Sequence, residues 1–196
     1  MDVMQGKNTI VDEWSSVKVP PPPELKGIHV DPTVTALLIL DIQNQNCNVE
    51  RRPRCVASVP KIKKLLSEAR TKGMSVVYSL TRAGSISDII KDVAPLEGEP
   101  VVQSGPDKFF GTDLEKILAE RRIENVIVVG TAAHGAVLHT ATGAALRGLG
   151  VIVPVDGMSA SELYPEQYTA WHLANAPASQ KQTTITSIDL IQLSEE

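Results

Sequence analysis

The chain has 196 residues, enough for one domain that buries most of its apolar surface without a disulfide framework or a structural metal. Its net charge is −4, with acidic and basic residues interspersed, so no basic surface that could follow a phosphate backbone is expected and nucleic acid is excluded as a partner. The sequence has no apolar run of membrane-spanning length and no charged segment leading into an apolar leader. It therefore predicts a cytoplasmic protein that does not bind membranes.

Residues 1–33 are predicted to form an extended, proline-rich arm, and residues 34–196 the folded domain. Hydrophobic residues are sparse in the arm, and the four consecutive prolines at 20–23 exclude a helix or a central strand and favour polyproline II. Two interpretations of the arm remain. It is either a solvated tail, or a segment that packs Trp14, Val17 and Val19 on the domain or on a neighbouring subunit.

From residue 34 onward, predicted strands and helices alternate. The run 34–40 is apolar except for Thr35, which is typical of a strand buried on both faces. Thr112 is predicted to cap a helix, with Glu115 as its capping-box partner. The alternation predicts a three-layer, doubly wound, mostly parallel β-sheet with helices on both faces. Further strands are predicted at 74–80, 100–103, 126–129, 151–155 and 183–188, and helices at 56–71, 87–93, 112–122, 134–147 and 165–175.

The chain contains two cysteines, Cys47 and Cys55, with seven residues between them. This spacing is longer than that of a zinc knuckle or a redox pair. It predicts free thiols in a reducing compartment.

Asp41 ends the first buried strand, at the edge where open α/β sheets bind their ligands. A carboxylate after an apolar run is costly unless it is paired or used. The alternative is an aspartate that caps the following turn. Thr81 and Arg82 end the second strand, where Arg82 could hold a carboxylate with two hydrogen bonds or form a surface salt bridge.

Two further segments could carry chemistry. Lys108 lies in an apolar, turn-rich setting just before Phe109 and Phe110, although a surface lysine on a loop is the simpler interpretation. The third strong strand leads into a turn of small residues at 130–136 and then a helix. Backbone amides at such a helix start favour negative charge, whereas small residues there can also reflect tight packing.

Three motifs in this order resemble those of the isochorismatase-like (cysteine hydrolase) superfamily, and a fourth segment at 156–160 is similar to a later motif. They are Asp41-Ile42-Gln43-Asn44, Lys108-Phe109-Phe110-Gly111-Thr112-Asp113-Leu114 and Gly130-Thr131-Ala132-Ala133-His134. The resemblance implies the isochorismatase-like hydrolase fold. It implies Asp41 as general acid/base and Lys108 as the cation that keeps Asp41 ionised or stabilises an oxyanion.

The resemblance also implies a non-proline cis peptide between Ala132 and Ala133. Backbone amides near Ala133, Ala136 and Val137 would then bind a substrate oxygen or carboxylate. The predicted substrate-binding residues are Gln43, Thr81, Arg82, Phe109, Phe110, Ala132, Ala133, His134 and Val137.

Ala136 stands where the amidase members of this superfamily carry their nucleophilic cysteine. One hypothesis is a cysteine-independent hydrolase of a small polar or carboxylate-bearing molecule; Gly130, Ala133 and His134 match the turn of isochorismatases, which do not use the cysteine. A second is a cysteine-dependent amidase whose nucleophile has been replaced by Ala136. A third is a ligand-binding pseudoenzyme.

Neither a metal nor a cofactor is predicted. Asp-x-His, the zinc motif of nicotinamidases, does not occur in the chain, and His134 and His139 do not share a helix face. His139 is predicted to be packed. Because members of the superfamily are usually homo-oligomers, the resemblance implies a homodimer or homotetramer that binds a small-molecule substrate.

Overall fold

The computed structural model describes residues 9–194. Its helices are α1 (Ile10–Glu13), α2 (Pro53–Thr71), α3 (Leu114–Glu120), α4 (Leu138–Leu146) and α5 (Leu163–Asn175). Its strands are β1 (Ile28–Val30), β2 (Thr35–Leu40), β3 (Ser75–Leu80), β4 (Val101–Gln103), β5 (Asn125–Thr131), β6 (Gly150–Pro154), β7 (Met158–Ser159), β8 (Thr183–Thr186) and β9 (Ile191–Leu193).

A seven-stranded parallel sheet forms the centre of the domain. Six strands follow the order β4-β3-β2-β5-β6-β8, and β7 pairs with the end of β5. The chain moves outward from β2 in one direction and from β5 in the other. The strand order therefore reverses between β2 and β5, and a ligand crevice is expected at their carboxyl ends.

Helices cover both faces of the sheet, which confirms the predicted fold class. Successive residues of β2 point to opposite faces, and all six are buried. Leu38 belongs to the apolar cluster beneath α3, α4 and α5, whereas Leu37 and Ile39 belong to the cluster beneath α2. Each cluster is continuous from the sheet to its helices, so the sheet is held between two cores.

The described part of the arm contains a strand that the sequence analysis missed. β1 pairs in parallel with β9, also missed, and Val30 is buried. By contrast, Trp14, Val17 and Val19 are 71%, 71% and 68% exposed. These three side chains therefore do not pack into the core of their own domain.

Several helix starts differ from the prediction. α2 begins at Pro53, which suits the first helical position because its missing N–H needs no partner there. Thr112 accepts a hydrogen bond from the Leu114 amide (3.2 Å), but the predicted capping box is wrong because Glu115 instead pairs with Arg147 at 2.8 Å.

The predicted helix at 87–93 is two short 3₁₀ turns, Ile86–Asp88 and Lys91–Val93. The predicted helix at 134–147 opens with a π-helical turn, Ala133–Val137, before α4.

The prediction of free thiols was wrong. Cys47 and Cys55 form a disulfide, with their Cα atoms 5.2 Å apart. The intervening residues turn back on themselves, since the Arg52 amide donates to the Asn48 carbonyl at 2.9 Å. The bridge ties the loop after β2 to the first turn of α2.

No helix within residues 9–194 combines the length and the apolar character needed to cross a bilayer.

Candidate active site

A buried ion pair lies at the carboxyl end of β2. The Oδ2 atom of Asp41 is 2.8 Å from the Nζ atom of Lys108, and Ser79 at the end of β3 donates its hydroxyl to Oδ1 at 2.7 Å. The Lys108 side chain is completely buried, and Nζ also donates to the carbonyl oxygens of Leu80 and Ser104, each at 3.3 Å. The fold thus brings together the aspartate and lysine singled out in the sequence.

The backbone at Asp41 leaves the strand in a left-handed conformation, with φ of 54°. This conformation is uncommon for residues other than glycine, and it occurs often at functional sites. The Asp41 carbonyl accepts hydrogen bonds from the Gln43 amide (2.9 Å) and from Asn46 Nδ2 (3.4 Å). These bonds hold the turn that directs the carboxylate towards Lys108.

Burial raises the pKa of the Asp41 carboxyl above its ordinary value of 3.8. The charge and hydrogen bond of Lys108, the Ser79 hydroxyl and the charge of Arg52 oppose this rise without cancelling it. A carboxyl group in this position holds a proton more readily than one in water. It is therefore suited to accept a proton and return it during a reaction.

The small-residue turn lies beside Asp41 because β2 and β5 are neighbours, with Leu40 paired in register with Gly130. Gly130 has φ of 130°, and a Cβ added there would lie 2.1 Å from the Leu40 carbonyl oxygen. Only glycine therefore allows β5 to end against β2 in this way. The Thr131 hydroxyl donates to the Ser159 carbonyl at 3.0 Å, which joins the turn to β7.

Within the turn, the structure corrects two expectations. The cis peptide joins Thr131 and Ala132, one bond earlier than the predicted Ala132–Ala133. The Val137 amide donates to the Ala132 carbonyl at 3.2 Å, so it is not free to bind a substrate oxygen in this conformation. Ala133 is buried and Ala132 is partly buried. Ala136 is 4% exposed and lies in the π-helical turn, a feature that often marks functional sites.

The other predicted substrate contacts take several different positions. Gln43 is buried, and its Oε1 accepts a hydrogen bond from the Thr81 amide at 2.9 Å, which joins the loops after β2 and β3. Phe109 is buried in the core beneath α4, with the Arg147 guanidinium 4.3 Å from its ring centre. Its ring therefore contributes to packing and to a cation–π contact. His134 is exposed at the start of the turn.

A shallow surface depression holds the remaining two predicted contacts. Arg82 and Phe110 line it together with His139, and all three side chains are exposed. The prediction that His139 is packed was therefore wrong.

Sequence reasoning missed two residues near Asp41. Ser79 could have been found as a hydroxyl next to the carboxyl end of a largely apolar strand. The charge of Arg52 lowers the pKa of Asp41. No local pattern indicated this, because the loop between them has no regular structure.

Within residues 9–194, no cluster of three or more His, Cys, Asp or Glu side chains is arranged to hold a metal ion.

Comparisons with known proteins match most of the domain. The family model described as the isochorismatase domain matches residues 35–188. Among curated proteins, the chain is similar to the N-carbamoylsarcosine amidase of an Arthrobacter species, with 40% identity over 63 residues. That match covers 32% of this chain and 24% of the relative.

Solved structures share the fold over most of the chain. An isochorismatase-like hydrolase from Alkaliphilus metalliredigens is similar, with a TM-score of 0.71, 24% identity, and coverage of 79% of this chain and 95% of that one. An N-carbamoylsarcosine amidase from Thermoplasma acidophilum gives a TM-score of 0.68, 23% identity and coverage of 79% and 96%. A nicotinamidase from Staphylococcus aureus gives 0.69, 20% identity and coverage of 79% and 99%. At these identities, the three solved structures show that the fold is shared.

Proposed function

This chain belongs to the isochorismatase family of hydrolases, and we propose that it hydrolyses a small polar or carboxylate-bearing molecule without a cysteine nucleophile. Asp41 is the general acid/base. The observation that carries the proposal is the buried Asp41–Lys108 pair at the point where the strand order reverses.

Water is the nucleophile in this proposal, because the methyl side chain of Ala136 cannot attack a substrate. The ionised Asp41 carboxylate takes a proton from water as the water oxygen bonds to the substrate carbon. The bond from that carbon to the leaving group then breaks, and Asp41 returns the proton to the leaving group. The raised pKa of Asp41 favours this exchange, and the Lys108 ammonium stabilises negative charge in a site shielded from water.

The local likeness to an N-carbamoylsarcosine amidase favours a second candidate. In that case the reaction is amide hydrolysis through a cysteine, and Ala136 replaces the nucleophile. The two candidates share Asp41 and Lys108 but differ in the group that attacks the substrate.

Turnover of N-carbamoylsarcosine and of panels of small amides, esters and vinyl ethers separates the candidates. We expect the unaltered chain to turn over a substrate and Asp41→Asn to reduce kcat by about 100-fold or more, because an amide cannot exchange the proton. Asp92→Asn, which removes an exposed carboxylate paired with Lys63, is the matched control and should retain full activity.

Full activity in Asp41→Asn would overturn the proposal. Amide hydrolysis that appears only in Ala136→Cys, and is blocked by thiol alkylation, would establish the second candidate instead. Saturable ligand binding with no turnover in any variant would identify a ligand-binding pseudoenzyme.

A further inference from the structure

Arg52 is brought to the edge of the sheet that carries Asp41. It is the last residue of the loop that starts at Asp41, and α2 begins at the next residue, Pro53. In a parallel β-α unit, the end of the strand and the start of the following helix lie at the same edge. The disulfide between Cys47 and Cys55 and the bond from Asn46 to the Asp41 carbonyl hold this loop against the site.

The guanidinium of Arg52 has no anionic partner in the described part of the chain. The side chain is half-buried, and its Nε atom is shielded from solvent without a hydrogen-bond partner. Among residues 9–194, no carboxylate oxygen lies within 4.0 Å of it. A shielded donor without a partner is costly, so binding of an acceptor from outside the chain is favoured at this position.

Three other arginines of the domain have hydrogen-bond acceptors for their guanidinium groups. Arg51 donates to the Gln45 carbonyl at 3.1 Å, and Arg54 forms a two-point pair with Glu166. Arg70 holds Glu99 in the same two-point manner, at 2.9 and 2.7 Å. Arg52 therefore differs from arginines one and two residues away.

Asp41 does not form an ion pair with Arg52, although the charge of each residue shifts the pKa of the other. Both carboxylate oxygens of Asp41 already have partners, Ser79 and Lys108. Burial lowers the pKa of Arg52, a nearby charge on Arg51 lowers it further, and Asp41 raises it. With no anionic partner among the described residues, the Arg52 guanidinium is left to bind an anion from outside the chain, and guanidinium groups bind carboxylates through two parallel in-plane hydrogen bonds.

We propose that Arg52 binds the carboxylate of the substrate and so selects carboxylate-bearing molecules for hydrolysis beside Asp41. The assignment of that ligand as a substrate rests on the proposed function. The binding itself does not, because it can be measured without turnover. Arg82, assigned this task in the sequence analysis, lies instead on the exposed depression with Phe110 and His139.

The test compares N-carbamoylsarcosine with its neutral carboxamide, two probes of nearly the same shape that differ in charge. Affinities are measured by titration calorimetry, and the Nε–H resonance of Arg52 is followed by NMR in the unaltered chain. We expect N-carbamoylsarcosine, and acetate at higher concentration, to shift that resonance saturably. Arg52→Gln should weaken N-carbamoylsarcosine at least 10-fold and leave the carboxamide unchanged, while Arg52→Lys should lose part of the affinity.

Arg51→Gln is the matched control, since it removes the same charge from the adjacent residue, whose side chain is exposed. Arg82→Gln tests the rival assignment. Unaltered affinity in Arg52→Gln, an equal loss for both probes, or a loss confined to Arg82→Gln would overturn the proposal. So would the failure of both carboxylates to shift the Arg52 resonance, a result that does not depend on any variant folding.

The two proposals fail in different ways. Carboxylate-selective binding that depends on Arg52, without turnover of any substrate, supports the binding site and removes the hydrolytic function. Turnover that depends on Asp41 but is indifferent to Arg52 and to substrate charge does the reverse.

Discussion

The Asp41–Lys108 pair is the residue-level feature that calls for a chemical explanation. Both side chains are buried, and removing two charges from water costs free energy that their attraction rarely exceeds by much. Apolar residues of similar size would hold this part of the core at least as well. The pair lies where parallel sheets place their ligands, and the proton transfer that we propose for Asp41 would account for its presence better than stability does.

Replacing Lys108 by methionine should expose the cost of the unpaired carboxylate. We expect the free energy of unfolding to fall by about 3 kcal/mol at pH 7, because a buried charge loses its partner. The pKa of Asp41 is already above 3.8 in the fold, and loss of the ammonium raises it further. A raised pKa favours the fold below 3.8, and that advantage is lost as the pH rises through the folded-state value.

The deficit of Lys108→Met relative to the unaltered chain should therefore shrink as the pH is lowered from 8 towards 4. Urea denaturation across this range measures it. Lys63→Met, which breaks an exposed pair with Asp92, is the control and should change little at any pH. A deficit of the same size at every pH would contradict the assignment of the effect to Asp41.

At the level of elements, the sequence predicted what strong local patterns specify. The apolar runs of β2 and β5 identified both central strands, and Asp41 and Gly130 at their ends placed the candidate site at this edge of the sheet. The capping of α3 was mispredicted because Glu115 is recruited by Arg147, a tertiary contact. The disulfide was missed because the path of the loop between Cys47 and Cys55 decides whether they meet. β1 and β9 have three residues each, too few for a period of two to be recognised.

Gly130 is expected to be indispensable for the junction between β5 and the turn. Gly130→Ala places a Cβ 2.1 Å from the Leu40 carbonyl oxygen at φ of 130°, and the contact is with backbone that cannot move aside. We expect a loss of about 3 kcal/mol or more in the free energy of unfolding. Gly148→Ala is the control, with φ of 80° and open space around the added Cβ, and should cost about 1 kcal/mol. Equal losses, measured by guanidinium denaturation, would refute the role of close approach.

The disulfide should stabilise the loop between β2 and α2 by restricting the unfolded chain. The cysteines are eight positions apart, and closing a loop of this size corresponds to about 2.5 kcal/mol. The Cys47→Ser, Cys55→Ser double variant should lose about that much, and a reducing agent should destabilise the unaltered chain but not the variant. Equal sensitivity of the two proteins to reductant, followed by thermal denaturation, would show that the bridge does not contribute.

At the scale of the whole molecule, the arm and α5 leave apolar surface uncovered. A groove of about 590 Å³ lies between residues 17–23 of the arm and α5, where Tyr164, Tyr168 and Trp171 line it. Ile10, Val11 and Trp14, just before the groove, are 64%, 82% and 71% exposed. Apolar surface of this extent on both an arm and the adjacent groove is typical of contacts between subunits.

We therefore expect the chain to assemble with a second copy of itself, the arm of one subunit covering the groove of the other. A two-fold symmetric arrangement buries both arms and both grooves at once, and it gives a dimer or a dimer of dimers. Trp14→Ser should lower the mass measured by light scattering after size exclusion, or raise the concentration at which the assembly dissociates. Leu96→Ser is the matched control, because Leu96 is also an exposed apolar residue, at 58%, but belongs neither to the arm nor to the groove. A monomeric unaltered chain, or an assembly that survives both Trp14→Ser and deletion of residues 1–16, would exclude the arm as the contact.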